Sequence, residues 1–265
     1  AVLRAGYAFV VFCVLSGAVY LVNDLRDLEQ DRLHPRKRSR PIASGALPVP
    51  VARVAAIVLI IGGLGGSLAL GPGFAAAAFA YLVLNLAYSF GLKNVVILDV
   101  LAISLGFVLR AVAGALAIDV RFSSWLLVCT ILLALFLSLA KRRHEIVSLE
   151  GAAAEHRRIL AEYSPYLLDQ MISVVTASCL TAYAFYTMAP ETLEKYQTEW
   201  LALTIPFVLY GILRYLYLVH RRDGGGSPTD VLLTDRPLLV AVALWAVAVV
   251  VIVYSAPGLP VPRGQ

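Results

Sequence analysis

Eight apolar stretches fill this chain almost end to end, and they decide which solvent it can fold in. They lie near residues 5–22, 50–70, 74–90, 98–118, 124–140, 166–188, 200–219 and 237–256. A helix needs about 20 predominantly apolar residues to cross the hydrocarbon of a bilayer. Each stretch approaches that length, and none shows the alternation of polarity over about 10 residues that a barrel strand requires. The pattern predicts an all-α, polytopic membrane helix bundle with eight spans in this chain, because only helices satisfy their backbone locally in lipid. Of 265 residues, 60% are hydrophobic and 15% are charged, which leaves no room for a sizeable water-soluble core. Residues 1–265 therefore read as a single membrane domain.

The charges that remain are one-sided. Most Lys and Arg residues fall in connections 23–49, 91–97, 141–165 and 220–236, while the opposite connections hold little beyond Arg121, Lys195 and Arg263. By the positive-inside rule the first set faces the cytoplasm. A net charge of +5 placed this way suits anionic lipids or substrates, and no nucleic-acid recognition module is legible. Cys13, Cys129 and Cys179 fall singly in three spans and read as small buried apolar residues. The first stretch lacks a basic leader and runs into an acidic motif, so it is expected to be a span and not a signal peptide, with a segment missing upstream. Gly71-Pro72-Gly73 predicts a tight turn between antiparallel neighbours, and Pro35, Pro41, Pro48 and Pro50 break the first basic connection into short pieces. A short surface helix is expected over 150–163, and Gly224 to Pro228 reads as a flexible connector.

Between the first two spans runs Asn23-Asp24-Leu25-Arg26-Asp27-Leu28-Glu29-Gln30-Asp31, followed by Arg32, Arg36, Lys37, Arg38 and Arg40. Spacings of three and four stack Asn23, Asp24, Asp27 and Asp31 on one face of a helix. Three carboxylates so close repel one another unless a cation lies between them. Mg²⁺, a hard ion with oxygen ligands, is the usual answer where a phosphate is also held. The basic residues that follow supply partners for that phosphate. The competing reading is a solvated helix end whose acids pair with those arginines.

Other polar residues stand where hydropathy argues against them. Arg110 lies well inside the fourth span, which points to a polar cavity or an anion, with a neighbouring carbonyl as the alternative partner. Tyr88 and Lys93 end the third span, and Asp99 opens the fourth. Lys93 suits a phosphate as well as a headgroup. Lys141, Arg142, Arg143, His144 and Glu145 close the fifth span, and Asp230, Asp235 and Arg236 precede the eighth. In a compact bundle these groups converge on the same side as the acids and suit a substrate with several phosphates. His34, His144, His156 and His220 share no ligand spacing and read as interfacial.

Asn23-Asp24-x-x-Asp27-x-x-x-Asp31, then His34-Pro35-x-Lys37-x-x-Arg40-Pro41-Ile42-x-x-Gly45, then Tyr88 with Leu92-Lys93, resemble the motifs of the UbiA superfamily. These are intramembrane polyprenyl transferases typified by the ubiquinone-pathway hydroxybenzoate enzyme. The resemblance implies nine spans around a central cavity open to lipid, the family's first being absent here. It also implies Mg²⁺ as cofactor and cytoplasmic loops that cap the active site. One departure is informative. Most members carry a second aspartate cluster where this chain has Lys141-Arg142-Arg143-His144-Glu145.

That exchange, with Ile212-Leu213-Arg214-Tyr215 and Asp230-x-x-x-x-Asp235-Arg236, resembles the actinobacterial branch that makes decaprenylphosphoryl-phosphoribose for cell-wall arabinan. Its members join phosphoribosyl diphosphate to a polyprenyl phosphate and release diphosphate. The resemblance assigns Asp24, Asp27 and Asp31 as catalytic and, with Asn23, as the metal ligands. It offers Lys37, Arg38, Arg40, Tyr88, Lys93, Arg110, Lys141, Arg142, Glu145, Asp235 and Arg236 for substrate. The partners it implies are the sugar donor, the lipid phosphate and a bacterial plasma membrane, with monomer and homo-oligomer both open. Two rivals stand beside it: prenyl transfer from a prenyl diphosphate to an aromatic or glycerol-phosphate acceptor, and a lipid or ion transporter.

Overall fold

The computed structural model describes residues 1–33, 37–120, 122–148, 158–221 and 226–255. Eight helices in it are long and apolar enough to span a membrane, and no strand occurs among the described residues. They correspond one for one with the eight stretches in the sequence.

The described residues fall into two compact units. The first holds α1 (Val2–Arg26), α2 (Leu28–Leu33), α3 (Val49–Ser67), α4 (Pro72–Phe90) and α5 (Leu98–Ala117), with a turn of 3-10 helix at Arg158–Glu162. Here α1 packs against α3, α4 and α5. Phe12 of α1 meets Phe74 edge-on at 5.6 Å between ring centroids and Tyr81 at 5.3 Å. Leu15, Ala18, Ala78, Ala113 and Ala117 are fully enclosed around them. Small residues let the helices approach, as membrane bundles require. A Cβ added to Gly63 of α3 would lie 2.6 Å from Leu15 Cδ2.

This unit has two distinct ends. At one, Gly71 adopts φ +102 and Pro72 starts α4, which makes the expected tight turn, since only glycine takes that conformation without strain. Arg4 and Asp119 pair across the same end at 2.7 Å, and Tyr7 Oη donates to the Gly66 carbonyl. At the other end α1 stops, α2 begins and the α4–α5 connection returns.

The second unit holds α6 (Ser124–Ser148), α7 (Pro165–Met188), α8 (Pro190–Tyr196), α9 (Ile205–Arg221), α10 (Pro228–Thr234) and α11 (Arg236–Ser255). Ser164 and Ser227 cap α7 and α10, accepting from the amides of Leu167 and Asp230, with proline next in each case. Helix α6 packs along α7, and α9 along α11. The buried Tyr183 hydroxyl lies 2.6 Å from Thr204 Oγ1 and accepts from Trp245 Nε1 at 2.8 Å, which settles its polarity inside an apolar helix pair.

Three expectations change. Helix α6 runs through Lys141 to Ser148 beyond the apolar stretch, because nothing there breaks a helix and Arg142 pairs with Glu145 one turn on. Cys13 is exposed on the outside of α1, where an apolar thiol meets lipid as readily as core; Cys129 is half-buried and Cys179 buried. Within the expected surface helix, 158–162 is a 3-10 turn that buries Ile159 and Leu160, and 149–157 lie outside the described residues. His34 to Arg36, Arg121 and 222–225, which include Gly224 and Gly225 of the expected connector, also lie outside them.

Candidate active site

The acidic comb occupies a joint between two helices. Helix α1 carries Asn23 and Asp24 to its last turn, Asp27 forms the bend, and Asp31 lies on α2. The Asp27 amide donates to Asn23 O and the Asp31 amide to Asp27 O, so the i to i+4 spacing survives the bend. The three carboxylates therefore remain neighbours, and the charges of Asp27 and Asp31 both bear on Asp24.

Cations close the comb. Arg40 Nη1 donates to Asp24 Oδ1 and to Asp31 Oδ2, each at 2.8 Å. Lys37 Nζ stands 3.9 Å from Asp31, and Lys93 Nζ donates to Asp27 Oδ1. The basic connection reaches back because it folds tightly. Lys37–Ser39 is a 3-10 turn, Arg40 N donates to Lys37 O, and Gly45 takes φ +83 while Ile42 is buried as an anchor. Ser89 Oγ donates to Asn23 Oδ1 at 3.4 Å and turns that amide. The competing reading of the sequence, acids paired with following arginines, is met in part, and the geometry shows what the pairing leaves over. A guanidinium has five N–H donors, of which Arg40 spends two on the comb, so three face no partner among the described residues.

The carboxylates differ in access. Asp31 is 3% exposed at its side chain, against 20% for Asp24 and 18% for Asp27. Asp31 is enclosed and holds the loop, and Asp24 and Asp27 keep part of their carboxylates accessible. Among the described residues no group of three acidic, His or Cys side chains is assembled as a ready metal cage. Mg²⁺ does not ask for one, since it is usually held by one or two carboxylates together with substrate phosphates. The donor set, all hard oxygens next to phosphate-type cations, fits that ion.

Arg38 is exposed beside Lys37, and Tyr88 is half-buried one turn from the end of α4. Arg110 is half-buried on α5, its guanidinium carbon 4.3 Å from the Phe107 ring and 5.7 Å from the Tyr81 ring. An arginine at this depth costs about 2.5–3.5 kcal/mol even on the lenient scale. Two such ring contacts, one near the distance limit, offset about 1–2 kcal/mol of it. No carboxylate among the described residues pairs with it.

In the second unit Arg142 is buried and donates to Glu145 at 2.6 Å, while Lys141 and Arg236 are exposed. Asp235 takes both Arg214 Nη2 at 2.7 Å and Arg214 Nε at 3.1 Å, and accepts from the Leu238 amide as the cap of α11. The two motifs Ile212 to Tyr215 and Asp230 to Arg236 thus meet through one bidentate pair. Sequence reasoning passed over Ser89, Asn85, Tyr81 and Ser16, although Tyr81, Asn85, Ser89 and Lys93 recur every four residues, a periodicity that was legible. It also missed the cluster in which Asp169 accepts from Arg143 Nε at 2.5 Å and lies 3.1 Å from His220 Nε2.

Comparison with known proteins agrees with this frame. The chain is 37% identical over 262 residues to a decaprenyl-phosphate phosphoribosyltransferase of Corynebacterium glutamicum, covering 97% of this chain and 77% of that one. It is 36% identical over 249 residues to the protein of that name in Mycobacterium tuberculosis, covering 93% and 80%. A UbiA homolog from Archaeoglobus fulgidus, solved with GPP and Mg²⁺, superposes with a TM-score of 0.73 at 18% identity over 96% of this chain and 89% of that one. The same homolog with DMAPP and Mg²⁺ gives 0.75 at 17% identity, over 96% and 88%. Residues 2–229 match the profile of the UbiA prenyltransferase family, and over that length of helix, comb and basic loop the chain belongs to it.

Proposed function

We propose that this multi-pass membrane protein transfers 5-phosphoribose from phosphoribosyl diphosphate to a polyprenyl phosphate, decaprenyl phosphate in its nearest chemistry, and releases diphosphate. The observation that carries the reading is the comb itself: the partly accessible carboxylates of Asp24 and Asp27 interleaved with Arg40, Lys37 and Lys93 at one end of a single unit. Relatives that bear a phosphoribosyltransferase name at 36–37% identity support the choice of donor. The one-sided basic residues support a site facing the cytoplasm of a bacterial plasma membrane. The chain, 1–265, would act as one transferase domain.

Asp24, Asp27 and Asp31, with Asn23 Oδ1, would hold Mg²⁺, which when bound supplies positive charge for the departing diphosphate. The remaining donors of Arg40, with Lys37, Arg38 and Lys93, bind phosphate oxygens and keep the donor's C1 in line with its acceptor. Ser89 Oγ donates to Asn23 Oδ1 and would steady that amide beside the comb. The bond from C1 to the diphosphate oxygen breaks as a bond from C1 to a lipid phosphate oxygen forms. The nucleophile is already an anion, so no general base is needed and placement of charge supplies the rate. Lys141, Arg142, Glu145, Tyr88, Asp235 and Arg236 are proposed as further contacts to the two substrates. Of these, Arg142 and Glu145 already pair with each other, and Asp235 pairs with Arg214.

The test is direct. Purified protein in detergent with Mg²⁺ and decaprenyl phosphate is offered phosphoribosyl diphosphate or geranyl diphosphate, with mass spectrometry of the lipid and an assay for diphosphate. Consumption of the sugar donor with a phosphopentosyl lipid as product is expected, and is expected to stop when EDTA removes the metal. Consumption of geranyl diphosphate alone would sink the reading, and release of neither would return the transporter alternative.

A further inference from the structure

Helix α4 carries Tyr81, Asn85 and Ser89 at intervals of four, with Lys93 continuing the series past its end, so polar groups form one strip from the comb down into the span. Neighbouring helices answer it. Lys93 donates to Asp27, Ser89 to Asn23, and Ser16 Oγ lies 3.0 Å from Tyr81 Oη. Asn85 Nδ2 donates to the Tyr81 carbonyl at 2.7 Å, which leaves its Oδ1 for something else. At the foot of the strip stands Arg110, over the Tyr81 and Phe107 rings. One turn before it, a Cβ on Gly106 would lie 3.8 Å from Tyr81 Cε2 and 3.9 Å from Asn85 Nδ2, so this side of α5 faces Asn85 directly.

We propose that Arg110 and Asn85 form a sub-site for the sugar and second phosphate of a donor whose diphosphate end sits on the comb. This rests on the phosphoribosyl-transfer reading above and says where the far end of that donor lies. A donor with only hydrocarbon beyond its diphosphate would offer no polar partner to the Arg110 guanidinium, which meets no carboxylate among the described residues, or to Asn85 Oδ1. A phosphorylated pentose answers both, with hydroxyls for Asn85 and a phosphate for the planar fork of Arg110. The distances suit it. Ser16, at the level of Tyr81, precedes Asp24 by eight residues, about 12 Å along α1. Side chains on a helix lean toward its N-terminus. On α1, which ends at the comb, that tips Asp24 inward; on α5, which starts there, it tips Arg110 toward the comb. The gap closes from both sides.

The experiment compares two probes on one protein. Affinities of the full-length protein in detergent with Mg²⁺ are measured calorimetrically for phosphoribosyl diphosphate and for ribose 1-diphosphate, which lacks the 5-phosphate. In wild type, loss of that phosphate is expected to weaken binding about 10- to 100-fold. In Arg110→Leu the two probes are expected to bind alike, within about twofold, because the group that tells them apart is gone. Asn85→Leu is expected to weaken both probes and keep the gap. An undiminished gap in Arg110→Leu overturns the sub-site while leaving the transferase reading intact. Wild type that binds neither probe but binds geranyl diphosphate overturns both. Arg110→Gln, close in length and uncharged, makes the same comparison if the leucine variant does not purify.

Discussion

Removing Arg40 should expose how far the comb depends on its counter-ion. Its Nη1 bridges Asp24 and Asp31 at 2.8 Å each, and Asp31 is 3% exposed, with Lys37 at 3.9 Å as the other cation beside it among the described residues. Arg40→Ala therefore strands one nearly buried carboxylate and loosens a second. Breaking a buried pair from one side costs about 3–5 kcal/mol. Water reaches Arg40, 37% exposed, and Asp24, 20% exposed, and Lys37 takes over part of the load, which lowers the figure. The expected loss is about 2–3 kcal/mol, roughly 30- to 150-fold in the folded-to-unfolded ratio. It is read as the urea midpoint in a fixed detergent. Asp31→Asn on top of Arg40→Ala should recover at least half of it, because the stranded charge is then gone. Mg²⁺ should stabilise Arg40→Ala more than wild type, since the bare comb binds a cation more tightly. A loss below about 0.5 kcal/mol, or strict additivity of the two substitutions, would refute the reasoning.

Three further outcomes follow from the same geometry. Asp24→Ala and Asp27→Ala should abolish Mg²⁺-dependent diphosphate release while elution on size exclusion stays that of wild type; turnover within about threefold of wild type by either would contradict their role. Lys141, exposed about two turns before the end of α6, should matter for binding and little for folding, so Lys141→Ala is expected to weaken donor binding by calorimetry with the melting temperature held. Gly63→Ala pushes a methyl to 2.6 Å from Leu15 Cδ2 and should cost about 1–3 kcal/mol, whereas Gly62→Ala, with nothing within 4 Å, should leave the melt unchanged; equal effects at the two sites would deny the close α1–α3 contact.

Much of the architecture was legible because its causes are local. Each span declares itself by about 20 residues of hydropathy, and the observed helices differ from those stretches mainly at charged ends, where helix continues after apolar character stops. The comb was legible too, since spacings of three and four survive even the bend at Asp27, whose amide and carbonyl keep the ladder going. The strip on α4 is equally periodic, but Tyr81, Asn85 and Ser89 are uncharged, and hydropathy alone does not separate them from the rest of an apolar span.

What the chain determines by itself is therefore its solvent, its helices, and the acids and bases that crowd between them, all written in residues a few positions apart. Tertiary structure alone decided the pairings: Lys93 on Asp27 across 66 positions, Arg40 shared between Asp24 and Asp31, Asp235 claimed by Arg214, and Arg110 laid over aromatic rings with no acid on it among the described residues. Helix packing creates those contacts. Which charge is spent on structure and which is left for substrate depends on distances of a few ångströms between helices that neighbouring residues do not encode.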